Sequence, residues 1–277
     1  TGFRYELWLC WRCRLLQLGR VLAAGTGTTI EWEGQYGLRE PEDISQKVNP
    51  AVDTAVRRLA GYDVPGPRLL DVGCAYGRLL WGAAQQGYQP CGVDLSAPCR
   101  RYLRERLGYP AFETVAAAAA AEGPFDEITC CETVYYFRHP LAELRAMREA
   151  LRPGGLLVLK SRANRTWAFR LGRAAARGHG PTFVLRPGDR LHGHTCGSFY
   201  SVTTRSLVCL LRRAGFALVA RHSEDDIIRP NRPGRRVQET TKFVLKAASG
   251  PLWRLSGGRW DTSLGVTLYA RREDGAD

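Results

Sequence analysis

The chain predicts an α/β protein built on a parallel, doubly wound sheet covered by helices. Three observations predict it. From residue 46 onward, short apolar runs alternate with helix-length amphipathic stretches, the pattern of repeated strand–helix–strand units. In "LLDVGCAYGRLL" a glycine turn separates an apolar run from a helix-like stretch. The 277 residues, 44% of them hydrophobic, are enough for one sizeable core.

Each element follows in order. Residues 1–45 are aromatic-rich and irregular, with "GTGTT" as a break. "SQKVNPAVDTAVRRLAGY" predicts a helix with Val52, Val56 and Leu59 on one face. "PRLLDVG" predicts a buried strand, and "GRLLWGAAQQG" a helix closed by Gly87. "QPCGVDLS" is the next strand, and "APCRRYLRERLG" the next helix, stopped by Gly108. "AFETV" is a short strand, and "PFDEITCCETVYYF" contains another. "LAELRAMREALRPGG" is an amphipathic helix ended by Pro-Gly-Gly, and "GLLVLKSRA" a strand. "VTTRSLVCLLRRAGF" predicts a helix with Thr203 or Thr204 as its cap. "ALVARHSED" and "TSLGVTLYARR" are the last two strands.

The formal net charge is +13. Almost all of it is arginine; lysine occurs only at Lys47, Lys160, Lys242 and Lys246. A balance this basic fits an anionic partner. Scattered arginines beside alanine runs equally fit the bias of a GC-rich genome. The densest basic stretch, "RPNRPGRR" (Arg229 to Arg236), reads as a surface loop. No apolar run is long enough to span a bilayer, and cysteines and arginines interrupt the first apolar stretch, unlike a signal peptide. The expected setting is cytoplasmic, with no membrane partner. The nine cysteines fit reduced, mostly buried thiols better than a disulfide frame.

The glycine turn carries the chemistry. In a doubly wound sheet, ligands sit at the carboxyl ends of the strands near the point where strand order reverses. Gly73 and Gly77 let the backbone turn tightly and approach a ligand. Asp94 ends the second strand, where a carboxylate can accept from both hydroxyls of a ribose. Nicotinamide and flavin sites favour G-x-G-x-x-G, which makes room for a pyrophosphate. Here the spacing is D-x-G-x-x-x-G with Ala75 inside it, which suits a nucleoside lacking a pyrophosphate. Asp71 could face an ammonium group or bond the loop amides. A cofactor with an amino-acid tail and a ribose matches both acids, as S-adenosylmethionine does.

At these residues the chain resembles the class I S-adenosylmethionine-dependent methyltransferases, over residues 48–272. "LLDVGCAYGRLL" looks like their first motif and "GVDLS" their second. "FDEITCCETVYYFRHPLAELRAMREALRPGGLLVLKSRAN" looks like their fourth-to-sixth block. "FYSVTTRSLVCLLRRAGFALV" looks like the helix and strand that follow in the subgroup methylating small molecules such as quinone precursors. The resemblance implies a Rossmann-like sheet, mostly parallel with an antiparallel last strand, and S-adenosyl-L-methionine as cofactor. It implies that Asp71, Gly73, Cys74, Ala75 and Gly77 line the methionine moiety, that Asp94 and Leu95 hold the ribose, and that Glu132 lies beside cofactor and acceptor; by its residue type alone Glu132 reads equally as half of a buried ion pair. Tyr36, in "EGQYG", would fold over the cofactor, or else pack in the core.

Three departures from the family pattern stand out. Relatives often carry an acid after the third strand that reads the adenine amine. Here "AFETVAAAAAAEG" offers only alanines unless Glu113 serves. Relatives commonly have Glu-x-x-x-His in the fourth block; here Tyr136 takes the histidine's place. Segment 162–198 is long and rich in Arg, Gly and His, where relatives place a substrate-covering insertion. The expected organisation is therefore an N-terminal segment, 1–45, and a methyltransferase domain, 46–277, with an insertion near 162–198.

Cys10 and Cys13 resemble the second half of a zinc ribbon, truncated or degenerate, with Arg14 where a glycine is usual. Two thiols are half the ligands that a structural zinc needs, so no metal is expected.

Methyl transfer from a sulfonium is an in-line displacement, in which alignment supplies much of the acceleration. An oxygen or nitrogen nucleophile still loses a proton, which asks for a base near neutral pH. Of the histidines, His194 in "LHGHTCGSFYS" leads into the helix bordering the acceptor cleft and is the expected base, with His192 second. Tyr136 would orient the acceptor, or else simply pack. His139 precedes a proline at a helix start, a capping position. The resulting expectation is a methyltransferase acting on an oxygen of a small molecule. An RNA-modifying enzyme and a non-catalytic cofactor-binding scaffold are the alternatives.

Overall fold

The computed structural model describes residues 3–9, 16–18, 40–46, 50–59, 61–163, 182–185, 200–224, 235–263 and 265–273. The main sheet has seven strands: β3 (Arg68–Val72), β4 (Gln89–Val93), β5 (Ala111–Phe112), β6 (Phe125–Cys131), β7 (Leu151–Arg162), β10 (Phe216–Glu224) and β11 (Gly265–Arg272). Their order is β10-β11-β7-β6-β3-β4-β5. Pairs β3–β4, β3–β6, β4–β5 and β6–β7 are parallel, and β11 runs antiparallel to both β7 and β10. The chain leaves β3 toward β4 and β5, then returns to the other side of β3 with β6. This reversal opens a crevice at the carboxyl ends of β3, β4 and β6. The antiparallel last strand is as the sequence implied.

Helices cover both faces. On one lie α1 (Pro50–Leu59), α2 (Arg78–Ala84) and α3 (Ala97–Tyr102), continued by a single wide turn at Leu103–Leu107. Their Val56, Leu59, Leu79, Leu80 and Leu103 pack on Leu69, Leu156, Val158 and Tyr269 of the sheet. On the other lie α4 (Val115–Glu122), α5 (Pro140–Ala150) and α6 (Thr204–Arg213). Val115, Leu144, Met147, Leu207 and Leu211 pack there on Leu70, Ile128, Leu157, Leu159 and Leu268. Each such buried leucine stabilises the fold by about 1.5–3 kcal/mol.

The structure differs from the sequence reading in four places. The alanine run is helix α4, where alanine's high propensity combines with a cap: the Thr114 hydroxyl accepts from Ala117 N–H at 3.2 Å. Helix α5 ends at Ala150 rather than at Pro-Gly-Gly, because Pro153 forces Arg152 toward extended backbone and Leu151 already pairs with Phe125. A 21-residue helix, α7 (Arg235–Leu255), precedes β11 and begins within the basic stretch read as a loop. The N-terminal segment, read as irregular, contributes β1 (Phe3–Leu9) and β2 (Leu16–Leu18) to a second antiparallel sheet with β8 (Thr182–Leu185) and β9 (Tyr200–Ser201). No helix among the described residues is long and apolar enough to cross a membrane.

Candidate active site

The glycine turn folds as the carboxyl ends of β3 and β4 require. Gly73 N–H and Cys74 N–H both donate to Val93 O, at 2.7 and 3.2 Å, pinning the turn to the neighbouring strand. Gly73, Ala75 and Gly77 all have positive φ, of 78°, 48° and 79°. A Cβ on Gly73 would lie 2.1 Å from Thr133 Oγ1, so a side chain is excluded by packing as well as by backbone conformation. Gly77 caps α2 without a side chain, leaving the first amides of that helix facing the crevice.

Asp94 closes the turn. Its Oδ2 accepts from Ala75 N–H at 2.8 Å and its Oδ1 from Ser96 N–H at 2.9 Å. Each oxygen retains acceptor capacity for a diol. Burial raises its pKa, while the Ser96 and Ala75 amides and Arg100 oppose the rise. Arg100 also bonds Asp94 O and Leu95 O, at 2.7 and 2.8 Å, and Glu113 Oε2 at 3.1 Å. Glu113, directly after β5, is thus engaged with the arginine that braces the Asp94 loop. Leu95 stands 64% exposed beside the carboxylate.

Asp71 is buried on the α1–α3 side, and its Oδ1 accepts from the Thr129 hydroxyl at 2.6 Å. Burial pushes its pKa up to about 7, the Thr129 bond pulls it down, and the charge of Asp94 adds to the rise. Burial, with help from both acids, likewise raises the Cys74 thiol. The geometry therefore presents one deeply held carboxyl and one half-buried carboxylate at the strand ends, joined by a glycine turn that is itself largely buried. That donor and acceptor set fits a ribose at Asp94 and an ammonium near Asp71.

Glu132 follows β6 with a φ of 58°. Its Oε2 accepts from the Tyr135 hydroxyl at 2.9 Å and pairs with Arg162 Nε at 3.3 Å. Tyr136 ends the turn Val134–Tyr136, half-buried, its ring 4.5 Å from that of Tyr135. This turn also contacts β9. His139 occupies the first cap position of α5, but it is exposed and its side chain makes no cap bond, so the expected capping role is not observed. Tyr36, His192, His194, Cys10 and Cys13 lie outside the described residues. Among the described residues no group of three or more His, Cys, Asp or Glu could hold a metal.

Sequence reasoning missed Thr129, Thr133, Arg100 and Arg162. The alternation in "DEITCCET" could have found the first, since it sets Thr129 and Cys131 on one face of β6. Thr133 against Gly73 is a contact between segments and leaves no local trace, while Arg100, six residues after Asp94, lies one helix turn into α3 and is local.

A family model described as a methyltransferase domain matches residues 45–221. The ubiquinone biosynthesis O-methyltransferase of Xanthomonas campestris is 34% identical over 134 residues, 46% of this chain and 54% of the relative. That of Xanthomonas oryzae matches with the same figures. The chain spans about half the length of these curated relatives. A methyltransferase from Streptomyces caelestis aligns with a TM-score of 0.51 at 18% identity, covering 85% of this chain and 94% of that one. The magnesium protoporphyrin IX methyltransferase of Synechocystis, solved with SAH bound, aligns at 0.51 and 14% identity, covering 87% and 94%. At these identities the structural likeness is one of fold.

Proposed function

This chain belongs to the methyltransferase-domain family and has the fold of its class I, S-adenosylmethionine-dependent branch; from that premise we propose that it transfers a methyl group from S-adenosylmethionine to an oxygen of a small-molecule acceptor. The observation that carries the reading is the Asp94 carboxylate, held by two backbone amides at the carboxyl end of β4 with acceptor capacity to spare. The O-methyltransferase names of the Xanthomonas relatives support the acceptor class. A cytoplasmic setting suits the free cysteines among the described residues.

In this reading Asp94 receives the ribose hydroxyls and Leu95 covers them. Asp71 takes the ammonium of the amino-acid tail, with Thr129 fixing its orientation. Gly73, Cys74, Ala75 and Gly77 present backbone to the same tail, and Tyr36 folds over it. The bound cofactor supplies an electrophilic methyl group on a sulfonium. Glu132, braced by Tyr135 and Arg162, borders the acceptor, and Tyr136 orients it. His194 takes the acceptor's proton, an assignment resting on its place in the sequence. Holding nucleophile and methyl carbon in line can contribute ~7–11 kcal/mol toward the barrier.

Thermal unfolding with and without S-adenosylhomocysteine tests this. Ligand at a hundredfold its Kd adds about 2.7 kcal/mol, a rise in Tm of roughly 5–10 °C, and NADH should give none. Asp94→Ala should abolish most of that shift. An affinity within twofold of wild type would overturn the ribose assignment.

A further inference from the structure

Lys160 breaks the apolar run "GLLVLKSRA" of β7. Leu156 and Val158, on the same face of the strand, belong to the core under α1–α3, and strand alternation carries that face on to Lys160 and Arg162. Register then sets a polar row across the carboxyl end of the sheet. Cys131 on β6 lies beside Lys160, Thr267 of β11 on its other side, and His222 of β10 beyond. Glu132 N–H bonds Lys160 O at 2.8 Å, so the lysine stands next to the turn that borders the acceptor.

Lys160 is only 8% exposed. A buried ammonium is costly unless it is paired or bonded. The nearby charges largely satisfy one another. Glu132 pairs with Arg162. Glu224 pairs with Arg58 and accepts from the Thr267 hydroxyl at 2.9 Å. Asp71 accepts from the Thr129 hydroxyl, and burial drives it toward its neutral form. Burial, with the charge of Asp71 next, raises the Cys131 thiol while the charge of Lys160 opposes the rise, so the lysine's neighbour on β6 is a neutral thiol. Among the described residues, Lys160 has no acid at ion-pair distance and no acceptor bonding its ammonium. A buried cation with no directly bound counter-ion therefore stands beside the turn that follows β6.

We propose that the Lys160 ammonium receives a carboxylate of the methyl acceptor, which makes the substrate an acid-bearing small molecule. This rests on the methyltransferase reading above and specifies its substrate class. A carboxylate entering the row would complete the charge balance, and an acceptor lacking one would leave the buried ammonium unmatched. The amino-acid tail of the cofactor carries the same chemical group, and the experiment separates the two sources.

Calorimetric titration of the full chain, saturated with S-adenosylhomocysteine, should compare 3,4-dihydroxybenzoate with catechol, a pair differing only in the carboxylate. The expected result is at least tenfold tighter binding of the acid. Lys160→Met should erase that preference while S-adenosylhomocysteine affinity stays within twofold. Lys160→Gln, of similar length and polar, serves if the methionine variant does not fold. Equal binding of the pair by wild type, absence of binding by both, or a preference surviving in the variants would overturn the proposal. A tenfold loss of S-adenosylhomocysteine affinity in the variants, without loss of any preference, would assign the lysine to the cofactor instead. Failure of wild type to bind S-adenosylhomocysteine at all would defeat the methyltransferase reading itself, a separate outcome.

Discussion

Two aspartates toward opposite edges of the sheet, Asp94 half-buried and Asp261 with its side chain almost fully covered, are built in opposite ways. Asp94, at the edge of β4, is held by amides of its own loop and of the adjoining turn, Ser96 and Ala75. Asp261, before β11, gathers donors from separate elements. Its Oδ1 accepts from Ser249 Oγ of α7 at 2.6 Å, and from Ser263 N–H and Oγ at 2.9 and 2.7 Å. Its Oδ2 accepts from the Thr204 hydroxyl of α6 at 2.5 Å and pairs with Arg221 of β10 at 3.5 Å. Arg221 in turn lies over the Trp253 ring, 4.9 Å from its centroid. A carboxylate saturated by donors from four directions is a clamp. One that retains open lone pairs at a strand end can still take a ligand.

The sharpest way to break the comparison is at the clamp. Asp261→Ala leaves Arg221, whose side chain is 7% exposed, as an uncompensated buried charge. It should cost about 3–5 kcal/mol of stability, read as a lowered urea midpoint, with S-adenosylhomocysteine affinity unchanged within twofold. A loss of affinity without a loss of stability would erase the distinction between clamp and site.

Next in size is the turn beside Asp94. Gly73→Ala should cost about 2–4 kcal/mol, from the clash with Thr133 and from the left-handed backbone, and should remove cofactor binding as well. Adding Thr133→Ala should recover most of the steric part, the Cβ of residue 133 still lying 2.9 Å away, and leave roughly 1–2 kcal/mol of backbone strain. If the double variant recovers nothing, Thr133 is not what excludes the side chain.

The smallest effect sharpens the role of Asp71. Its folded pKa, near 7, lies above the ordinary carboxylate value, so between pH 4 and 7 the native state holds a proton that the unfolded chain has released. Stability should therefore fall as pH rises through that window. Glu127, buried in β6 and also raised to about 7, contributes in the same direction. Asp71→Asn should flatten part of the slope of Tm against pH. Because an ammonium favours the ionised form, wild-type affinity for S-adenosylhomocysteine should rise about tenfold from pH 6 to 8, and the variant should lose that dependence. A flat wild-type profile would detach Asp71 from the ammonium.

Much of the cradle was legible because its contacts are short-range in pattern. The spacing from Asp71 to Gly77 and the acid at Asp94 are each set by one strand end, and strand ends are visible as the close of an apolar run. The Thr203 cap of α6 was legible for the same reason, its hydroxyl accepting from Ser206 N–H three residues on at 3.0 Å. The Asp261 clamp was not legible. Its partners Thr204, Arg221 and Ser249 are ordinary surface-type residues in sequence, and only the packing of α6, α7, β10 and β11 brings them to one carboxylate. Helix α7 itself was missed, since Gly250 and Pro251 interrupt its sequence and both disfavour a helix interior.

The alternation of strands and helices, the glycine turn, and the acid that ends the second strand are written in the residues themselves, because backbone conformation and periodicity are local properties. Tertiary structure alone decided which charges neutralise one another. Arg162 on Glu132, Arg58 on Glu224 and the unmatched Lys160 between them follow from strand order and register, and register is fixed by burial over the whole sheet rather than by any one segment.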